Sequence, residues 1–285
     1  MLSNKVSEIM TTNLTTTSAS RTVFDVMSQM VAEDVGRIAV SQNDIPVGIF
    51  TEKDVLRRVI NKIDSKKTAI RDVMTSPIRA VREETHIVEA FGKMYKGRYR
   101  HLLVRGRRGK IVGIVSMRRI LGLAAELGQH LSESKTLGEI MSSGVATVDE
   151  SLSVAETIER MVQQGLGGIV VTVAGRPAGM FTERDVLKRV AVPEVDLRNT
   201  PVRSVMSSPL ITMTHAHKVS DVLSEMYRRD IRNIPVTGES QQLIGVLSMA
   251  DILQYAQALN IDERVRQTWK EVQEHYDSED QYTPG

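Results

Sequence analysis

Two matching stretches of the chain each carry a hydroxyl and a carboxylate one helical turn apart. The first reads GIFTEKDVLRRV and starts at Gly48, and the second reads GMFTERDVLKRV and starts at Gly179. In both, a β-type run ends at a threonine and a helical pattern begins. The free N–H groups at a helix start suit a phosphate, and a carboxylate accepts hydrogen bonds from ribose hydroxyls. The pattern predicts recognition of ribose and phosphate, hence of a nucleotide.

The same spacing has a second interpretation that needs no ligand. Thr51 and Asp54, like Thr182 and Asp185, have the spacing of a capping box, in which the two side chains satisfy the first N–H groups of a helix. The ligand interpretation is favoured because the pattern recurs in register behind a strand, with capping as a compatible second role. The glycine before each threonine is expected to let the backbone approach the ligand.

The chain is a fourfold repeat, which is the strongest signal in the sequence. A methionine followed by small polar residues recurs at spacings of 64, 67 and 65 residues, a second methionine and an acid follow each one in phase, and a glycine follows later. These four series are Met10, Met74, Met141 and Met206; Met30, Met94, Met161 and Met226; Asp25, Glu89, Glu156 and Asp221; Gly48, Gly113, Gly179 and Gly245. We interpret the methionines as core residues because they fall at buried helical positions.

Each unit reads as strand, helix, strand, strand, helix, an α+β fold. In the third unit, VATV from Val145 and GIVVTV from Gly168 have β-type composition. Ser153 and Glu156 have capping-box spacing before an apolar helical stripe, which Gly165 is placed to end. A unit of about 65 residues is small for a core of its own, so we expect units to pair. The expected division is 1–63, 64–130, 131–196 and 197–259, followed by a C-terminal helix and tail, 260–285.

The units resemble CBS domains, and two consecutive units resemble a Bateman module. The resemblance covers roughly residues 1–258. It implies four βαββα CBS units paired into two Bateman modules, joined through their sheets, with clefts that bind adenine nucleotides. The family's ribose–phosphate motif, Gly-x-x-Ser/Thr-x-x-Asp, matches Thr51, Asp54, Thr182, Asp185, Ser248 and Asp251.

The second unit departs from this motif. It keeps Ser116 but has Arg119 where the aspartate is expected. An arginine cannot accept a hydrogen bond from a ribose hydroxyl, so the cleft centred on this unit is expected to bind ribose poorly.

The resemblance also implies positions for the adenine and the phosphates. The positions expected to line the adenine pocket are Thr16, Ala80, Thr147 and Thr212. The side chains expected to reach phosphates are Arg37, Arg100, His101, Arg232 and Asn233. The third unit has Gly167 and Gly168 there, so its ligand must find cations on other units or remain solvated. A simply solvated state stays open for each of these basic residues.

Composition limits the alternatives. The chain has 285 residues, a net charge of +2 and no cysteine, which excludes disulfides, thiolate nucleophiles and cysteine-based zinc sites. His215 and His217 alternate as strand neighbours would, but no third ligand is near in sequence and no metal site is predicted. The N-terminus lacks a signal-peptide pattern and no apolar run is long enough to cross a membrane, so a cytoplasmic location is expected.

The function predicted is a non-catalytic sensor or regulator that binds an adenine nucleotide. AMP, ADP and ATP are the first candidates, and S-adenosylmethionine is a further one; no other cofactor is predicted. A regulated protein or a second copy of the chain is left open as partner. The alternative is nucleotide-gated binding of RNA or DNA through the basic segment Tyr95–Lys110, whose tyrosines have the chemistry to stack on bases.

Overall fold

The structure is a computed structural model. It describes residues 5–43, 45–97, 101–117, 119–120, 136–229, 231–240, 242–248 and 251. The predicted contact of Arg100 and the expected C-terminal segment 260–285 lie outside the described residues.

Four three-stranded sheets follow one another along the chain, one in each repeat. In every sheet the first strand is parallel to the second and the second is antiparallel to the third. The strands are β1 Thr16–Ser18, β2 Arg37–Gln42, β3 Ile45–Thr51, β4 Ala80–Arg82, β5 His101–Arg105, β6 Ile111–Ser116, β7 Thr147–Asp149, β8 Gly168–Val173, β9 Arg176–Thr182, β10 Met213–Thr214, β11 Asn233–Thr237 and β12 Leu243–Ser248. The predicted α+β units are thereby confirmed.

Helices precede and follow the strands along the chain. They are α1 Val6–Ile9, α2 Val23–Ala32, α3 Glu52–Asp54, α4 Ile87–Gly97, α5 Leu137–Ile140, α6 Val154–Gln163, α7 Glu183–Asp185 and α8 Val219–Arg228. Helices α3 and α7 continue as π-helical turns over Val55–Val59 and Val186–Ala191. Within the described ranges, none of these helices has both the length and the apolar character needed to cross a membrane.

Helix α6 shows how sequence pattern becomes local structure. Ser153 and Glu156 form the predicted capping box at its start, which satisfies N–H groups that the helix itself leaves free. Val154 and Met161 are fully buried on one face. Gly165, at φ +69°, ends the helix in a backbone conformation that other residues rarely adopt. The cap, the apolar stripe and the stop are all as predicted.

The repeats are joined by reciprocal backbone bridges between an edge strand and the hydroxyl residue that follows a methionine. We call each such methionine and the residues directly after it a bridging segment; the four begin at Met10, Met74, Met141 and Met206. Met180 of β9 and Ser207 exchange two hydrogen bonds, at 2.9 and 2.8 Å, and Ile49 of β3 does the same with Thr75. Thr11 bridges to β6 and Ser142 to β12 in the same way. The first segment of each repeat therefore pairs with the sheet of the other repeat in its module.

The methionines of these segments explain the repeated glycines. A Cβ atom added at Gly179 would lie 2.5 Å from the sulfur of Met206 and 2.9 Å from the carbonyl oxygen of Ser207. Met74 covers Gly48 in the same manner. The expectation that this glycine admits a ligand is therefore replaced by a packing role, because the methionine of the bridging segment occupies that space.

Two hydrophobic cores cross between the modules. One contains Val26, Ile38 and Phe50 from the first unit together with Ile158 and Phe181 from the third. The other joins the second unit to the fourth. The four units therefore close into a ring, held by backbone bridges within each module and by apolar packing between modules. The series from Met30 to Met226 is fully buried, which confirms its predicted core role.

Gly179→Ala is expected to destabilise the protein, because the new methyl group meets backbone as well as the Met206 side chain. Overpacking of this kind costs about 1–3 kcal/mol, and chemical denaturation measures it. Gly144→Ala is the matched control, since nothing lies within 4 Å of its added Cβ. Equal stability of the two variants would contradict the packing role assigned to Gly179.

Candidate functional site

The third unit carries the most complete version of the hydroxyl–carboxylate pair. Thr182 ends β9 and caps α7, and its backbone N–H and its hydroxyl both donate to Oδ2 of Asp185, at 2.9 and 2.6 Å. In return the Asp185 N–H donates to the Thr182 hydroxyl at 3.4 Å. Both hydrogen bonds of the capping box are thus present, and the Asp185 side chain is buried.

The first and fourth units repeat this geometry. The Thr51 hydroxyl donates to Oδ2 of Asp54 at 2.7 Å, and the Ser248 hydroxyl donates to Oδ2 of Asp251 at 2.6 Å. In both units the backbone N–H of the hydroxyl residue adds a second bond to the same oxygen. Capping, the second role considered for these residues, is therefore present in all three units.

A further hydroxyl reaches each carboxylate from the bridging segment. Ser207 donates to Oδ1 of Asp185 at 2.8 Å, and Ser142 donates to Oδ1 of Asp251 at 2.7 Å. Thr75 approaches Oδ1 of Asp54 at 3.3 Å. The sequence prediction missed these residues, although the hydroxyl that follows the methionine in all four repeats was the available signal.

The second unit keeps the cap without the carboxylate. The Arg119 N–H donates to the Ser116 hydroxyl at 3.2 Å. The helix start is therefore preserved, while the acceptor that the other units offer is missing.

A cavity of about 700 Å³ lies between the third and fourth units. Both hydroxyl–carboxylate pairs of this module line it, together with their bridging serines. Its walls also include Val170, Met180, Pro235 and Val246, so apolar and polar groups face the same space. This volume falls within the range usual for sites of small molecules, roughly 300–1,000 Å³.

The positions expected to line the adenine pocket lie elsewhere. Thr147 and Thr212 are exposed and are not among the cavity-lining residues, whereas Ala146 and Ile211, one residue earlier in each unit, are. Thr16 is likewise exposed on β1. In β7 the alternation of side chains places Val148 in the core and Thr147 on the opposite, exposed face.

Three of the residues expected to reach phosphates are engaged with protein groups. Arg37 and His101 lie together, with Nη1 and Nε2 3.1 Å apart. Arg232 donates to Glu52 of the first unit at 2.7 Å. Asn233 lines the large cavity beside Arg232.

A further cavity lies in the first module. A cavity of about 200 Å³ is lined by Ile49, the segment 75–79, His101 and Leu103. The bridging segment and the second sheet both line this cavity, whereas Thr51 and Asp54 are not among its lining residues.

The basic segment Tyr95–Lys110 is partly described. Its arginine at position 107 lies near two carboxylates, Glu84 at 3.7 Å and Glu83 at 4.0 Å. Arg105 donates to the carbonyl oxygen of Gly109 within the turn. Part of the charge on which the nucleic-acid alternative depends is therefore compensated locally.

The two histidines lie in a loop before α8. The Thr214 N–H donates to Nδ1 of His217 at 3.2 Å, and His215 packs against Gly138 of α5. Among the residues that the structure describes, no cluster of three or more histidine, aspartate or glutamate side chains is suited to hold a metal ion.

Comparison with known proteins gives a family and relatives. A family model described as CBS domain matches residues 6–61, 70–126, 137–192 and 202–258. The uncharacterized protein MJ1404 of Methanocaldococcus jannaschii is 27% identical, over 90% of this chain and 62% of its own length. CBS domain-containing protein CBSCBSPB1 of Arabidopsis thaliana is 24% identical, over 85% of this chain and 52% of its own length. The chain thus spans less than two thirds of both relatives.

Solved structures share the four-unit fold. Protein MJ1225 of Methanocaldococcus jannaschii, described as an archaeal homologue of g-AMPK, has a TM-score of 0.73 at 17% identity. An uncharacterized conserved protein of Pyrococcus horikoshii has a TM-score of 0.57 at 20% identity. Each alignment covers 88% of this chain and 99% of the other. At these identities the likeness concerns the fold.

Thr182→Ala is expected to lower the free energy of unfolding by about 1–2 kcal/mol, the scale of losing a helix N-cap. The change also removes one of the hydroxyl groups that donate to the buried Asp185 carboxylate. Thr182→Ser keeps the hydroxyl and serves as the control. Urea denaturation measures both, and a Thr182→Ala variant as stable as the wild type would show that the cap contributes nothing.

Proposed function

Because the chain belongs to the CBS-domain family, we propose that it is a non-catalytic regulator that binds an adenine nucleotide between its paired units. AMP, ADP and ATP are the first candidate ligands, and S-adenosylmethionine shares the adenosine half that the site would recognise. The cleft between the third and fourth units is the principal site. A regulated protein or a second copy of the chain would receive the signal.

One observation carries this proposal: a cavity of about 700 Å³ is lined by two hydroxyl–carboxylate pairs, one from the third unit and one from the fourth. A carboxylate has roughly four lone-pair positions. The hydrogen bonds to Asp185 from Thr182 and Ser207 use three of them. Arg189 forms an ion pair with Oδ1 at 3.6 Å, a separation too long for a hydrogen bond, so one acceptor position is left for a ribose hydroxyl. The caps hold the carboxylate in place before a ligand arrives, so little freedom is lost on binding.

The regulatory step follows from the position of the cleft. Its lining comes mainly from two units that meet through the bridging segments, so a ligand would contact both. A ligand shifts the arrangement of the units only by its difference in affinity for two states. A tenfold difference supplies about 1.4 kcal/mol, enough for a graded response.

Calorimetry with adenosine, AMP, ADP, ATP, S-adenosylmethionine and GMP tests the proposal. Asp185→Ala and Asp251→Ala are each expected to weaken one adenosine site by about 1–3 kcal/mol, the scale of a lost hydrogen bond to a charged group. Asp54→Ala tests the first module in the same way. Unchanged affinity and stoichiometry in all three variants would refute the assignment.

Two controls separate binding from folding. Asp149→Ala removes an exposed aspartate of the third unit that the cavity does not include, and it should bind as the wild type does. Asp185→Asn keeps the shape of the cap while removing the charge. Thermal unfolding of every variant identifies a loss of affinity that comes from a loss of fold.

A further inference from the structure

A glutamate of the first module reaches into the cleft of the second. Glu52 follows Thr51 at the start of α3, and its side chain is only 1% exposed. It accepts from Nε of Arg184 at 3.2 Å and from Nη1 of Arg232 at 2.7 Å. All three residues line the cavity of about 700 Å³ between the third and fourth units.

A second glutamate lies on the same arginine. Glu183 occupies in α7 the position that Glu52 occupies in α3, and its carboxylate is 4.0 Å from Nη1 of Arg232. The fourth-unit arginine is therefore shared by two buried carboxylates, one from each module. Buried carboxylates of this kind depend strongly on their cationic partners, because an unpaired charge cannot remain away from water without large cost.

The charges of the described residues that line this cavity balance. Four acidic side chains face four basic ones: Glu52, Glu183, Asp185 and Asp251 against Lys53, Arg184, Arg229 and Arg232. Arg229 is in turn paired with Glu225, and hydrogen bonds from Arg228 and Arg229 hold the pKa of Glu225 below its usual range, so that partner stays ionised at neutral pH. Among the lining residues that the structure describes there is thus no excess of positive charge of the kind that concentrates polyanions in a site.

An incoming phosphate must compete with Glu52 for Arg232. A single phosphate that binds Arg232 can keep its other oxygen atoms in contact with water. A triphosphate brings more negative charge toward two buried carboxylates whose repulsion is weakly screened. The penalty therefore grows with the number of phosphates.

We propose that Glu52 is a specificity-determining residue of the cleft between the third and fourth units, and that it restricts this cleft to adenosine ligands with at most one phosphate. The inference rests on the proposed nucleotide-binding function. Under this inference the first module helps to select the ligand of the second module, because the first module supplies the Glu52 carboxylate.

Calorimetry on the full chain tests this with AMP and ATP, in buffer free of divalent cations and at one ionic strength. The wild type is expected to bind AMP at least tenfold more tightly than ATP. Glu52→Gln should narrow that ratio about tenfold, chiefly through tighter binding of ATP. Arg232→Gln should widen it severalfold, because the carboxylates then lose a cation. Opposite movement of the ratio in two variants cannot arise from general loss of fold.

The control is Glu194→Gln, which changes net charge equally at a half-exposed site paired with Lys66, and it should leave the ratio unchanged. Equal binding of AMP and ATP by the wild type, or a ratio that Glu52→Gln does not move, would overturn the inference while the nucleotide-binding function stands. If the wild type binds neither AMP, ATP nor adenosine, the proposed function fails and the inference fails with it.

Discussion

The structure depends on the pair of backbone hydrogen bonds that each bridging segment makes with the edge strand of another repeat. Ser207 with Met180 and Thr75 with Ile49 are two of four such bridges. Each bridge satisfies backbone groups at an edge that a three-stranded sheet would leave open. It also fixes where the neighbouring methionine lies, and the repeated glycine, such as Gly179, provides the space that this methionine needs.

The same bridge builds the candidate site. Once Ser207 is paired with β9, its hydroxyl lies 2.8 Å from the carboxylate that caps α7. Oδ2 of Asp185 therefore caps its own helix, and Oδ1 accepts a hydrogen bond from the bridging segment. A side chain held from both sides is already oriented for a ligand, so the capping interpretation and the proposed ribose interpretation describe one arrangement.

Packing between modules adds a second constraint. The first and third units share a core, which brings α3 and α7 together and carries Glu52 to Arg184 and Arg232. The two modules are therefore connected by charge as well as by apolar contact. The proposed ligand of the cleft between the third and fourth units would therefore contact groups from both modules.

The sequence alone determined the features that depend on neighbours within one unit. The fourfold repeat is visible directly, because the same residues recur at spacings of 64, 67 and 65. The order of strands and helices, the cap from Thr182 to Asp185 and the missing acceptor at Arg119 follow from spacings of a few residues, because helix starts and strand alternation are local. Even so, the three-residue strand at Thr147 was too short for its inward face to be predicted. Only the tertiary structure decided which repeats exchange segments and share cores, and hence that Glu52 meets Arg232. Four nearly equivalent repeats offer similar apolar faces to one another, and only the contacts between distant segments distinguish among their pairings.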